Sequence, residues 1–232
     1  MNSSYTHSFY NTDLSVSSIP DIPVGKVVCV GRNYLDHIQE LDNTVSETPI
    51  LFLKPQTAFC DLRNNIEIPK HLGECHNELE LALLITEPLL ASVSTAYTNE
   101  QLADSIGGIG LALDLTLRDL QKELKAKGHP WERAKSFDKS CPISPFIPLR
   151  HFNNTEPYKF SLTVNNELRQ YGDTSLMLYS VIDLLREISS VFSLTPGDVV
   201  LTGTPKGVAA LASTDILELS LKGHFDIKTQ VD

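Results

Sequence analysis

The 232-residue chain has no apolar run approaching the ~18 residues that a membrane-spanning helix requires. Its four cysteines, Cys29, Cys60, Cys75 and Cys141, form no CxxC pair. Neither a zinc site nor a disulfide framework is therefore indicated, and a reducing cytoplasm is the expected compartment. Basic residues are in short supply: 19 Lys and Arg stand against 29 Asp and Glu, a formal net charge of −10. That balance argues against nucleic acid or an anionic membrane as a partner. The polar start, residues 1–8, lacks the apolar stretch of a signal peptide. Internal repeats and low-complexity segments are absent. What is present is 41% hydrophobic residues, enough for one domain with a substantial core and a small appendage.

The segment 78–85, Glu-Leu-Glu-Leu-Ala-Leu-Leu-Ile, begins with strict alternation, ends at Glu87-Pro88 and follows the breaker-rich stretch 69–73. Read as a strand, it places Glu78 and Glu80 on one face and Leu79 and Leu81 on the other. Two carboxylates about 7 Å apart along a strand face repel unless something cationic lies between them. The pair is either a solvated face or part of a site for a hard divalent cation, since Mg²⁺ typically takes one or two carboxylates plus water and substrate oxygens. Residues 110–114 read as an apolar strand ending in an acid, and Asp114 is a candidate third carboxylate.

The remaining candidates follow in chain order. Residues 1–24 are polar, with Pro20 and Pro23 near the end, and suggest an arm or irregular strand. Residues 26–30 form a β-branched run that stops at Gly31; a short helix over 35–41 follows, in which His37 and Glu40 share a face. Such a pair is either an ordinary surface contact or a proton-transfer dyad. With the polar loop 42–48 behind it, this helix has the character of a lid. The strand 49–55 carries Lys54, a solvated strand end or a carboxylate-binding group, and a strand is expected at 66–68. A helix over 97–105 with Thr98 as cap leads into Gly107-Gly108-Ile109-Gly110, whose spacing is not that of a dinucleotide fingerprint. Thr116-Leu117-Arg118-Asp119 has a capping-box pattern, and Leu117, Leu120 and Leu124 recur at helical spacing. Arg118 and Gln121 share a face there, as exposed positions or as a bidentate carboxylate site. Asn165-Asn166 marks a hairpin between 160–164 and 167–171. A helix over 180–192 takes Ser180 as cap and Val181, Leu184, Leu185, Ile188, Val191 and Phe192 as its core stripe. The strand 199–201 precedes Thr202-Gly203-Thr204-Pro205-Lys206-Gly207, a turn or an oxyanion-binding loop using backbone N–H groups and the Thr204 hydroxyl. Two alternating strands, 216–221 and 225–231, close the chain.

Taken together the motifs resemble the fumarylacetoacetate hydrolase superfamily in its short form, related to acylpyruvate hydrolases and oxaloacetate decarboxylase/tautomerases. The resemblance covers roughly 26–231. It rests on Cys29-Val30-Gly31-Arg32-Asn33-Tyr34 with His37 and Glu40, on 49–55, and on His76-Asn77-Glu78-Leu79-Glu80. It also rests on Leu113-Asp114-Leu115-Thr116-Leu117-Arg118-Asp119, on Ala134-Lys135-Ser136-Phe137, and on 201–207. It implies a mostly β fold with peripheral helices (α+β), a mixed β-sandwich roll, with residues 25–232 as the catalytic domain behind an arm at 1–24. Members are usually dimeric, so a homodimer is expected. The resemblance implies Glu78, Glu80 and Asp114 as ligands of Mg²⁺ or Mn²⁺. It implies His37, Glu40 and Lys135 as catalytic residues, and Arg32, Lys54, Arg118, Gln121 and Thr204 as contacts to a small 2-oxo acid. Asn166 stands where the family hairpin often has Gly. The first expectation for activity is C–C bond hydrolysis of acylpyruvates such as fumarylpyruvate. Oxaloacetate decarboxylation or tautomerisation comes second, then isomerase/decarboxylase work on a hydroxylated dienedioate. A metal-stabilised binding protein without turnover is the alternative of another class, and the presence of both His37 and Glu40 counts against it.

Overall fold

Alternating and continuous apolar segments dominate the sequence, and strands dominate the structure. The computed structural model describes residues 5–42, 44–149 and 157–232. In chain order the strands are β1 (Ser8–Tyr10), β2 (Val16–Ser18), β3 (Val27–Gly31), β4 (Ile50–Lys54), β5 (Phe59–Asp61), β6 (Cys75–His76), β7 (Leu79–Ile85) and β8 (Ile106–Leu113). There follow β9 (Thr116–Leu117), β10 (Cys141–Ile143), β11 (Ile147–Pro148), β12 (Lys159–Val164), β13 (Glu167–Asp173), β14 (Val199–Leu201), β15 (Ile216–Leu221) and β16 (Phe225–Gln230). Five α-helices lie between them: α1 (Leu35–Glu40), α2 (Asn99–Asp104), α3 (Arg118–Ala126), α4 (Glu132–Lys135) and α5 (Val181–Val191). None is long and apolar enough to cross a membrane.

The main sheet has the order β4-β3-β14-β7-β8-β10-β5, with β11 also on β8. The pairs β3/β14 and β5/β10 are parallel and the others antiparallel. A second, antiparallel sheet runs β13-β12-β15-β16. Pleating sorts β7 and β8 cleanly. Leu79, Leu81, Leu83 and Ile85 pack with Ile109, Leu111 and Leu113 in the larger core, beneath the second sheet and α5. Ala82, Leu84 and Ala112 point the other way, into a smaller cluster with Val27, Cys29, Phe59, Phe146 and Leu201. Helix α2 takes Thr98, and α5 takes Ser180, as N-caps with full capping boxes. Asn165 and Asn166 turn the β12–β13 hairpin with both φ angles positive, 52° and 67°, a conformation for which Asn substitutes for Gly.

Three sequence expectations give way to tertiary context. The strand at 66–68 reduces to a single bridge, Ile66 to Val231, because the chain turns there, the Lys70 N–H donating to the Ile68 carbonyl at 2.9 Å. Thr116 does not cap α3; Leu117 stands at that position and Thr116 sits in β9, its hydroxyl used elsewhere. In α5 the stripe stops at Ser189: Val191 is exposed and Phe192, past the last turn, is half-buried. Asn43, in the loop 42–48, lies outside the described residues.

The arm folds as the β1–β2 hairpin and covers the smaller cluster with Tyr5, Phe9, Ile19 and Val24. His7 is its anchor, fully buried between Phe59 and Phe146, with Nε2 donating to the Gly197 carbonyl at 2.9 Å. Burial pushes its pKa down from 6.5 to about 4, so His7 is neutral in the folded protein. The unfolded chain takes up this proton first as pH falls. Stability is then full above pH 6.5 and declines between 6.5 and 4, by up to roughly 3 kcal/mol. His7→Gln keeps an amide donor but removes the titration. Denaturant unfolding of both proteins should show their stability difference shrinking across that window, and a difference constant with pH would refute the assignment.

Candidate active site

The alternation that builds the core also builds the site. Glu78, immediately before β7, and Glu80 within it precede Ala82 and Leu84, and β8 pairs in register so that Leu79 lies opposite Leu113 and Glu80 opposite Ala112. Asp114 follows directly, its N–H donating to the Glu78 carbonyl at 2.8 Å. The three acids therefore converge at one end of two adjacent strands, all buried, with carboxylate oxygens within 4.8 Å of one another.

Three buried cations answer them. Lys135, from α4, donates to Glu78 Oε2 at 2.8 Å, Asp114 Oδ2 at 2.6 Å and the Thr116 hydroxyl at 2.7 Å. Arg118, at the start of α3, pairs with the other Glu78 oxygen and donates to Gln121 Oε1 at 2.7 Å. Lys54 Nζ lies 2.8 Å from Asp114 Oδ1. Burial pushes the Glu78 pKa up, but Lys135 and Arg118 outweigh it and hold the carboxyl below the usual range. Burial likewise opposes the charge on Lys135, and Asp114 and Glu78 overcome it, keeping its pKa high. Glu80 is the exception. Burial, then Asp114 and Glu78, push its pKa well above the ordinary carboxylate value, against the pull of Lys135 and a 2.6 Å hydrogen bond from the Gly203 N–H.

The cleft over this centre is lined by the acids, by Arg32, His37, Arg118, Gln121, Lys135 and Thr204, and by Leu41, Phe52, Lys125 and Trp131. Lys54 is not among them. Its ammonium, fully buried, is consumed by Asp114, the Ser140 hydroxyl at 3.1 Å and main-chain carbonyls. It holds Asp114 from behind and is shut off from a substrate, which corrects the expected contact.

Helix α1 sits across the cleft. His37 is buried, and its Nδ1 meets Glu40 Oε2 at 3.2 Å. Glu40 Oε1 accepts the Gly207 N–H at 2.9 Å, and Asp36 pairs with Lys206 at 2.8 Å, so the helix is fastened to the loop after β14. In sequence that loop is a turn or an oxyanion-binding loop; in the structure its donors are turned inward. The Gly203 and Gly207 N–H groups point at Glu80 and Glu40, and the Thr204 hydroxyl donates to the Leu79 carbonyl at 2.9 Å. Two buried amides missing from the sequence expectations set this frame. Gln170 donates to the Thr204 hydroxyl at 2.8 Å and accepts from Asn77 and the Leu79 N–H. Asn33 ties the entry to α1 onto the Thr202 carbonyl at 2.8 Å and onto Tyr179. Asn33 lay inside a quoted motif. Gln170, on edge strand β13, carried no local signal.

The donor set fits a divalent cation. It is all oxygen, as Mg²⁺ and Mn²⁺ prefer. Glu78, Glu80 and Asp114 each bring a carboxylate oxygen to within 4.8 Å of the others and together would hold such an ion. Asp114 Oδ1, buried, has the Lys54 ammonium at 2.8 Å on one side. Glu80, the acid opposed by its neighbours, is the one that a cation would return to its charged form.

Comparison with known proteins shows the family. The model of the fumarylacetoacetate (FAA) hydrolase C-terminal family matches residues 26–232. The chain is 49% identical over 205 residues to the Escherichia coli (strain K12) oxaloacetate tautomerase YcgM, covering 88% of this chain and 91% of that protein. A fumarylacetoacetate hydrolase family protein from Yersinia pestis CO92 superposes with a TM-score of 0.89 at 45% identity, over 98% of this chain and 100% of that one. The fumarylpyruvate hydrolase of Pseudomonas aeruginosa, solved with Mn²⁺ and pyruvate, gives a TM-score of 0.86 at 31% identity, over 98% and 95%. Fold, acid centre and sequence together make this chain a member of the fumarylacetoacetate hydrolase family.

Proposed function

We propose that the protein interconverts the keto and enol forms of oxaloacetate, with a divalent cation held by Glu78, Glu80 and Asp114. The observation that carries this reading is the 49% identity to an oxaloacetate tautomerase over 88% of the chain. It moves the weight from acylpyruvate hydrolysis, first among the sequence expectations, to the second of them. When bound, the cation supplies a Lewis acid that draws electron density from the 2-keto oxygen and acidifies the neighbouring C3. The chain's own groups do the rest. Glu40 holds His37 Nδ1, which leaves Nε2 as the basic ring atom at the cleft. It takes the C3 proton as the C2–C3 double bond forms, and the imidazolium so formed gives a proton back to the 2-oxygen, which completes the enol and restores the neutral ring. Lys135 keeps its proton and fixes Glu78 and Asp114. Arg118 Nε, buried without a hydrogen-bond partner, is a donor for a substrate carboxylate beside Gln121.

Acylpyruvate hydrolysis is the second reading, favoured by the likeness to fumarylpyruvate hydrolase. There the same nitrogen would take a proton from water attacking the distal carbonyl. The two are separated by assaying oxaloacetate tautomerisation, oxaloacetate decarboxylation and cleavage of acetylpyruvate and fumarylpyruvate with Mg²⁺, Mn²⁺ or chelator. Tautomerisation should be fastest and lost in chelator; faster cleavage of an acylpyruvate would overturn the first reading.

Two variants examine the roles. His37→Ala should slow tautomerisation by about 10² to 10⁴-fold, the usual worth of a general base, while Mn²⁺ still binds by calorimetry; undiminished turnover would exclude His37 as the base. Glu80→Gln replaces a carboxyl whose ionisation its neighbours oppose with a neutral amide of the same shape. It should leave the metal-free fold intact and weaken Mn²⁺ binding at least tenfold. Unchanged Mn²⁺ affinity would remove Glu80 from the ligand set.

A further inference from the structure

Arg118, Gln121 and Lys125 stand at i, i+3 and i+7 on α3, a spacing that puts all three on one face. That face is the cleft wall. The first two are buried and bound to one another, Arg118 also to Glu78, whereas Lys125, two turns beyond Arg118, is exposed at the rim. Two turns advance about 10 Å, but helical side chains lean towards the N-terminus. The long Lys125 stem is thereby carried back over Gln121 towards the opening. Arg32 approaches the same cleft from the turn after β3, in a left-handed conformation with φ 64°, an uncommon setting for a non-glycine residue. Its guanidinium also reaches the Thr44 carbonyl at 3.1 Å. Burial and then the nearby Arg32 and Arg118 push the Lys125 pKa down, so these cations feel one another at the rim.

Like charges gathered at a cleft mouth, in a chain with a net charge of −10, focus potential for an anion entering there. The acid centre at the bottom would engage the 2-oxo acid head. The cations at the rim are placed for a second negative group on the same molecule.

We propose that Lys125, together with Arg32, is a specificity determinant that selects substrates carrying a second, distal carboxylate. The cleft thus takes short 2-oxo dicarboxylates in preference to 2-oxo acids with an uncharged tail. This rests on the assignment of the cleft to 2-oxo acids, and deepens it by naming which of them are favoured.

The test compares oxaloacetate with its 4-ethyl ester, which differ in the distal charge. In the Mn²⁺-loaded wild-type protein the diacid should have a KM at least tenfold lower, the worth of about one charge-assisted contact. Lys125→Met should bring the two KM values together by raising that of the diacid, with kcat for the diacid changed less than twofold. Lys125→Arg should restore most of the preference, and added salt should erode it for the wild type more than for Lys125→Met. A wild type that does not discriminate, equal losses on both compounds, or a loss in kcat alone would overturn the proposal. Should neither compound be turned over, the reading of the reaction fails by itself. Calorimetric binding of the same two compounds to wild type and Lys125→Met then decides the proposal: a diacid preference that disappears in the variant upholds it, and equal or undetectable binding overturns it.

Discussion

Three carboxylates buried within a few ångströms of one another are the constraint on which this structure depends. Lys54 comes from β4, Lys135 from α4 and Arg118 from α3, and each ends on Glu78 or Asp114. Elements far apart in sequence are thus pinned to the ends of β7 and β8 by charge. Removing one partner of such a buried pair typically costs about 3–5 kcal/mol, because the remaining charge is left unpaired in a poor solvent. Glu78 and Asp114 are well compensated and Glu80 is not, an asymmetry that leaves the centre receptive to one more cation.

A second set of contacts joins α1 to the floor of the site. The loop after β14 gives one N–H to Glu80 in the acid centre and another to Glu40 in the dyad. Gln170 holds the same loop from the second sheet. A shift in this loop would therefore be felt by both a metal-ligand candidate and the partner of His37, which places the positioning of the acid centre and of the His37–Glu40 pair in one short segment.

Several site residues were legible in the sequence because strand periodicity is a local property. Alternation alone put Glu78 and Glu80 on one face, and the apolar run before Asp114 located the third acid. Helical spacing paired His37 with Glu40 and Arg118 with Gln121, and the hairpin and helix caps at Asn165-Asn166, Thr98 and Ser180 needed nothing beyond neighbouring residues. Thr116 shows the limit. Its capping-box pattern was present, but Lys135, nineteen positions away, uses its hydroxyl and β6 pairs its backbone.

What the sequence determined by itself was the inventory and its facing: which residues alternate, which acids share a strand face, which pairs share a helix face, and the family those motifs resemble. Only the tertiary structure decided what each polar group is bonded to. Lys54 reads in sequence as a solvated strand end or a carboxylate-binding group, yet it is sealed behind Asp114; Gln170, silent in its edge strand, organises the Thr204 loop; Lys125 joins the cleft because α3 packs where it does. The physical reason is that a buried polar group must find its partner wherever the chain supplies one. In a mixed sheet those partners are separated by tens to more than a hundred residues, a range over which local pattern carries no information.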